Sequence, residues 1–262
     1  MRSENLKLLR SYFQRYTETR PSHPVLIEAA CDCSLPTLGL VGLAQEFVID
    51  ERENSQVSES TQEIATPAWT RRDEVNFPLL ILQQRVNHET IEVAFNLLLL
   101  PEPEGRQLGV QVLRELRSLD VAPHAHSQEI VTHIQRMIVV EKDELVLAWA
   151  LSAIGWQCLP EGTEVLLPYI SHRNKSIRHV VADNILMGVN DCSEISQPIL
   201  DGVVELIQDD CPGVQWAILY EIAEQPALFT SNAEMIKQAA LVASFGGTER
   251  VNEEARRALL AL

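Results

Sequence analysis

The chain has 262 residues, 46% hydrophobic, 22% charged and 5% aromatic, with 21 Lys and Arg against 37 Asp and Glu for a net charge of −16. That apolar share excludes an intrinsically disordered chain and supports a sizeable core. The charge excludes DNA, RNA and anionic membranes as main ligands, because each needs a cationic face; an acidic chain attracts basic partners instead.

The N-terminus, MRSENLKLLRSYFQRY, has no apolar run of the secretory kind. Residues 1–20 hold five Lys or Arg and two Glu, a net +3, which leaves −19 for the remainder. Leu6, Leu9, Phe13 and Tyr16 recur at helical spacing, so this stretch is predicted as a basic amphipathic helix covering one end of the core. Pro24–Cys31 and Pro36–Ile49 read as two short helices with Pro in the first turn, where its missing N–H costs nothing. The longest apolar stretch, Thr37–Ile49, contains Gln45 and Glu46 and is too short to span a bilayer. Asp50–Thr66, DERENSQVSESTQEIAT, has too few apolar residues to offset the entropy of ordering it, and is expected as a mobile loop. The predicted division is therefore an N-terminal helical cap over 1–50, a flexible polar loop over 51–70, and a helical-repeat region over 71–262 that packs with the cap as one domain. Within the last region, Asp73–Val86 and Glu89–Leu100 resume the helical pattern.

Five later stretches align by their apolar positions: Leu108–Leu116, Val146–Ile154, Ile177–Ile185, Val214–Ile222 and Val251–Leu259. Each starts and ends on an aliphatic residue, with Val112, Ala150, Val181, Ile218 or Ala255 halfway. Positions four apart share a helix face, so each stretch presents one stripe for burial. The starts lie 38, 31, 37 and 37 residues apart. A second helical pattern precedes each: Glu89–Leu100, Gln128–Val139, Thr163–Ile170, Ile195–Ile207 and Ala233–Ala243. Short turns rich in Pro, Gly, Asp, Asn and Ser join the partners. The unit is helix, tight turn, helix, and such a period predicts an all-α, stacked α-solenoid in which each pair buries its stripe against its neighbours.

This unit resembles the HEAT repeat and the related short repeat of phycobilisome lyases. The matches are NKSIRHVVADNIL at 174–186 and DDCPGVQWAILYEIA at 209–223. Arg178 and Asp183 stand where the family often carries such charges, and Asp210, Pro212 and Val214 match its turn. The resemblance covers about residues 88–262 and implies a right-handed superhelix of helical hairpins. It implies no particular function, because folds of this kind host many.

Catalytic signatures are missing from the sequence: there is no G-x-G-x-x-G, Walker loop, G-x-S-x-G or H-E-x-x-H. Cys31 and Cys33 form a lone C-x-C with no second half-site, and the five cysteines, with Cys158, Cys192 and Cys211, are odd in number and irregularly spaced. That usage predicts a reduced, cytoplasmic protein. His124, His126 and His133 cluster, but zinc wants four well-placed ligands. The iron-binding HEAT-type hydroxylases use repeated His-Glu pairs, and only His88-Glu89 occurs here. No catalytic residue, metal or cofactor is therefore expected.

If the first, fifth and ninth positions of each stretch face the core, the third and seventh lie opposite, at about 100° per residue. Those residues are Val110 and Arg114, Ala148 and Ser152, His179 and Asp183, Trp216 and Tyr220, and Glu253 and Arg257. Trp216 and Tyr220 are the expected anchors, since exposed Trp and Tyr bury much area while freezing few rotors. Trp149 reads as core, beside its stripe. Asp143-Glu144 and Asp209-Asp210 begin two of these helices, where they cap the dipole or add a rim of negative charge. The expected activity is non-enzymatic. An acidic concave surface would bind a basic protein and occlude or position it, in the manner of an immunity or inhibitor protein, through Trp216, Tyr220, His179, Asp183, Asp143, Glu144, Asp209 and Asp210. The competing expectations are a bilin-lyase-like enzyme or enzyme subunit, which would need a deep pocket near His179 and Asp183, and a general scaffold.

Overall fold

A computed structural model of the chain describes residues 2–19, 24–32, 34–57, 76–116, 125–189 and 195–262. Among the described residues every regular element is helical and no strand occurs. The contacts divide the chain into two compact units, Met1–His124 with Arg136–Ala153, and Ala125–Gln135 with Ile154–Leu262.

The first unit contains α1 (Arg2–Thr19), α2 (Pro24–Cys31), α3 (Thr37–Val57), α4 (Phe77–Gln84), α5 (His88–Leu97) and α6 (Pro103–Arg114). Helices α7 (Ser127–Ile138) and α8 (Glu144–Trp156) contribute residues to both units. The apolar α4, FPLLILQQ, packs against α1, α2, α3 and α6. The Tyr12 hydroxyl of α1 donates to the Asp32 carboxylate at 2.6 Å just beyond α2. Burial, then this bond and the Asp32 charge, push the Tyr12 hydroxyl up to about 12. The same bond, followed by those from Ser34, holds Asp32 below the usual carboxylate range. A Cβ at Gly109 would come within 2.9 Å of both the Ala94 carbonyl and the Leu97 Cβ, so glycine there lets α5 and α6 approach closely.

The start of the predicted polar loop is helical. Helix α3 continues through Val57, seven residues into it, and residues 58–70 lie outside the described residues. Glu51 and Arg52 in this stretch have charged and polar partners. Arg52 donates to Gln107 at 2.8 Å and pairs with Asp143. Gln107 donates to Glu51 at 3.2 Å.

The second unit contains α9 (Pro160–Leu166) with a 3-10 turn at Leu167–Tyr169, α10 (Lys175–Asn184), α11 (Gln197–Ile207), α12 (Pro212–Glu224), a 3-10 stretch at Pro226–Asn232, α13 (Ala233–Gly246) and α14 (Glu249–Ala261). Helix α12 packs on α10, α11 and α14, and α13 packs on α11 and α14. Two kinds of helix start recur. Asn76, Asn87, Asn174 and Thr248 accept a backbone N–H of the first turn of α4, α5, α10 and α14. Helices α6, α9, α11 and α12 instead carry Pro in the first turn and no side-chain cap.

All ten helices of the five predicted pairs are present, with boundaries shifted by a few residues. The first, fifth and ninth positions of the stretches that begin at Leu108, Val146, Ile177 and Val214 are all buried, as are Val251 and Ala255 of the last; Leu259 is half-buried. The third and seventh positions depart from expectation in the first unit. Val110 and Arg114 are buried, because α3 and α4 also pack on α6. Gln83 of α4 donates to the Gln111 carbonyl at 2.8 Å, and Arg114 donates to Ser152 at 2.9 Å with its guanidinium near the Trp149 ring. Trp149, placed in the core by its sequence position, is half-buried.

Candidate interaction surface

Charged side chains first tie the turns of the helix pairs together. Arg106 and Arg178 are each the fourth residue of their helix, α6 and α10. Each turns one Nη1 back onto two carbonyls of the preceding turn: Leu100 and Pro101 for Arg106, at 2.9 and 2.6 Å, and His172 and Arg173 for Arg178, at 2.9 and 3.5 Å. Each then makes a two-pronged pair with an acid ahead of a later helix. Arg106 meets Glu141 at 2.7 and 2.9 Å, and Arg178 meets Asp209 at 2.6 and 2.9 Å. Those acids also accept backbone N–H groups, from Lys142 and Asp143 in one case and Cys211 in the other. Burial alone would raise both carboxyls, but the arginine and amide hydrogen bonds outweigh it and hold them below the usual range. The sequence pointed to Arg178; the equivalence of Arg106 shows only in three dimensions, because its place relative to the apolar stripe differs.

The predicted acidic rim is thereby largely neutralised from within. Asp143 accepts the Leu145 and Val146 amides at the start of α8 and pairs with Arg52, and with Glu144 it belongs to the first unit. Asp209 is held by Arg178. Asp210 is 91% exposed at its side chain and also contacts Arg178, at 2.6 Å. Both line a shallow recess of about 380 Å³ with Ser171, Arg178 and Glu205.

One face of the second unit gathers the other predicted residues, across α10, α12 and α14. His179 is not wet as expected: it is 9% exposed, its Nε2 stands 3.4 Å from Asp183, and its Nδ1 is buried without a hydrogen-bond partner. Its side chain faces the packed side of α10, so Asp183 is the exposed member of the pair. Trp216 and Tyr220 stack with ring centroids 5.5 Å apart. Their outer flanks are not bare. The Arg250 guanidinium lies 3.8 Å from the Trp216 ring centre and that of Arg257 lies 5.3 Å from the Tyr220 ring centre. Arg257 also bridges Glu254 and Glu224. Trp216 is thus half-buried, while Tyr220 remains 38% exposed.

Glu221, which the sequence reading passed over, sits beside these aromatics on α12. Burial pushes its carboxyl above the usual range; a hydrogen bond from Gln225 at 3.0 Å opposes this, and the charges of Asp183 and Glu224 add to it. Its signal in the sequence was only adjacency to Tyr220, and the crowding with Asp183 needs the packing of α10 on α12. Among the described residues, no three His, Cys, Asp or Glu side chains are grouped to hold a metal ion, and no helix is long and apolar enough to cross a membrane. His124 and Cys33 lie outside the described residues. No protein-family model and no curated protein matches the chain.

Proposed function

We propose that this protein is a non-catalytic binding module built of HEAT-like helical hairpins in a right-handed α-solenoid, and that the α10–α12–α14 face takes a basic protein and occludes or positions it, as an inhibitor or immunity protein does. The observation that carries this reading is the crowding of Asp183, Glu221 and Glu224 beside the exposed Tyr220 ring. Burial raises Glu221 first, and the Asp183 and Glu224 charges add to it against the Gln225 hydrogen bond; a lysine or arginine from a partner would favour the ionised form. Tyr220 offers rigid contact area next to it. The test mixes immobilised protein with lysine- and arginine-rich peptides and with cell extract at rising salt. Binding is expected to fall steeply with ionic strength and to weaken in Tyr220→Ala. Retention that ignores salt, or selective capture of acidic proteins, would sink the electrostatic reading.

Glu221→Gln separates binding from stability. A carboxyl raised on folding favours the native state while protonated, so its contribution is present below the unfolded value of about 4 and is lost as pH rises through the folded value. At neutral pH the charged Glu221 is a burden. Glu221→Gln is therefore expected to melt at a higher temperature than the wild type at neutral pH, to show little difference in acid, and to bind a basic partner more weakly. Thermal melts at two pH values together with the capture assay check all three outcomes.

A further inference from the structure

Helix α13 inverts the usual arrangement of apolar side chains. Its buried face is made mostly of small residues, Ile236, Ala239, Ala240 and Ala243, which allow close packing on α14. Its larger ones point outward: Met235 is 43% exposed, Val242 66% and Phe245 83%, with Leu241 beside them. An amphipathic helix that only needed to cover its own core would carry them on the other side. Scattered exposed apolar residues need no explanation, but a contiguous stripe of large ones does.

The spacing of the stripe is specific. Met235, Gln238, Val242 and Phe245 are all exposed and are separated by three, four and three residues. That is the a/d pattern of a helix that packs on another helix. It is also self-complementary. If two such helices cross antiparallel about a two-fold axis level with Ala240 along the helix, Met235 of one copy faces Phe245 of the other, and Gln238 faces Val242. The pairing places a against d positions, and the two-fold repeats each contact, as an isologous interface requires.

Charge selects the same occupant. The whole chain carries −16, but α13 has only two charged residues, Glu234 and Lys237. In the antiparallel register they fall opposite Gly246 and Ala243, so no like charges meet. A basic partner has little to recognise here, and a membrane-surface helix would need a flank of Lys and Arg that α13 lacks.

We propose that the α13 face is a self-association surface, on which a second copy of this chain docks its own α13 antiparallel. The proposal is independent of the basic-partner surface, which lies on α10, α12 and α14. A seam of ten residues is about 15 Å long. It falls below the area of a standard interface, so the dimer is expected to be weak, with dissociation in the micromolar range.

Sedimentation equilibrium of the full chain, from low micromolar to several hundred micromolar, reads the result. The wild type is expected to pass from monomer to dimer over that range. Val242→Glu places an unpaired charge in the seam and is expected to weaken self-association at least about tenfold. Because Val242 is exposed in the monomer, its melting curve should match the wild type, which separates lost docking from misfolding. Adding Gln238→Lys to Val242→Glu creates two cross-pairs in the antiparallel register and is expected to restore dimer. A wild type that stays monomeric throughout, or a Val242→Glu chain that associates as the wild type does, overturns the proposal. A double variant as monomeric as Val242→Glu overturns the register.

Discussion

Replacing Arg85 with alanine is expected to destabilise the first unit by about 2–4 kcal/mol, because buried carbonyls lose a charged donor. Arg85 ends α4 and is buried. Its Nε donates to the Ala30 carbonyl at 2.8 Å, one Nη to Leu35 at 2.5 Å, and the other to Asp32 at 2.6 Å and Ala29 at 3.4 Å. Ala29 and Ala30 lie in the last turn of α2 and Asp32 just beyond it, where carbonyls run short of intrahelical donors. The Ala29 and Asp32 carbonyls also accept the Asp32 and Leu35 amides at 3.2 Å, so the guanidinium is a second donor to these two. The guanidinium therefore serves as a tertiary cap for α2 and fixes the turn into α3. Its positive charge also suits the negative end of the helix dipole. Lysine cannot replace it, because a single ammonium cannot reach carbonyls spread over this fork. Arg85→Lys should recover only a small part of the loss. Urea unfolding followed by far-ultraviolet circular dichroism measures both variants. A loss under about 1 kcal/mol for alanine would show that water satisfies these carbonyls equally well.

The sequence made the paired helices legible for a clear reason. Positions such as Val146, Ala150 and Ile154 recur four apart because one face of each helix must leave water, and burial confirms that face. Residues whose environment depends on a distant segment were not legible. Val110 and Arg114 followed the pattern of a wet face, yet α3 and α4, which lie outside the five aligned pairs, cover them. The helical end of α3 was hidden for the converse reason: Glu51 and Arg52 look like loop residues until Gln107 and Asp143 are placed beside them. His179 failed by a smaller margin, because a rotation of one residue's width carries a side chain from the rim of a helix to its packed side.

The candidate surface was legible in part. Trp216 and Tyr220 were found from their spacing, and they do stack. Helical phase alone could not show that Arg250 and Arg257 of α14 would lie over them, nor that Asp209 and Asp143 would be held internally by Arg178 and Arg52. A net charge counts carboxylates without saying which are already paired. This moves the weight of the proposed binding surface from the helix starts to Asp183 and Glu221, where burial first, and then the Asp183 and Glu224 charges, raise the Glu221 carboxyl.

The two arginine clamps should differ in cost. Arg106→Ala is expected to destabilise by about 3–5 kcal/mol, since it strands a buried carboxylate. The Glu141 side chain is 1% exposed, and without Arg106 it keeps only the Lys142 and Asp143 amides. If the stranded charge is the main cost, Glu141→Gln should offset part of it, and the double variant Arg106→Ala/Glu141→Gln should be more stable than Arg106→Ala alone. Loss of packing by the arginine stem is common to both variants and predicts no difference between them. Arg178→Ala should cost less, because the recess beside Asp209 and Asp210 admits water to the abandoned carboxylates. Acid supplies the control. Glu141 is depressed on folding, so its contribution is present above the unfolded value of about 4 and is lost as pH falls through the folded value. The gap in stability between wild type and Arg106→Ala should therefore narrow as pH falls below that range. Denaturant midpoints across a pH series decide it: a gap that stays constant in acid would mean that the guanidinium's bonds to the Leu100 and Pro101 carbonyls, and not its pairing with Glu141, hold this turn.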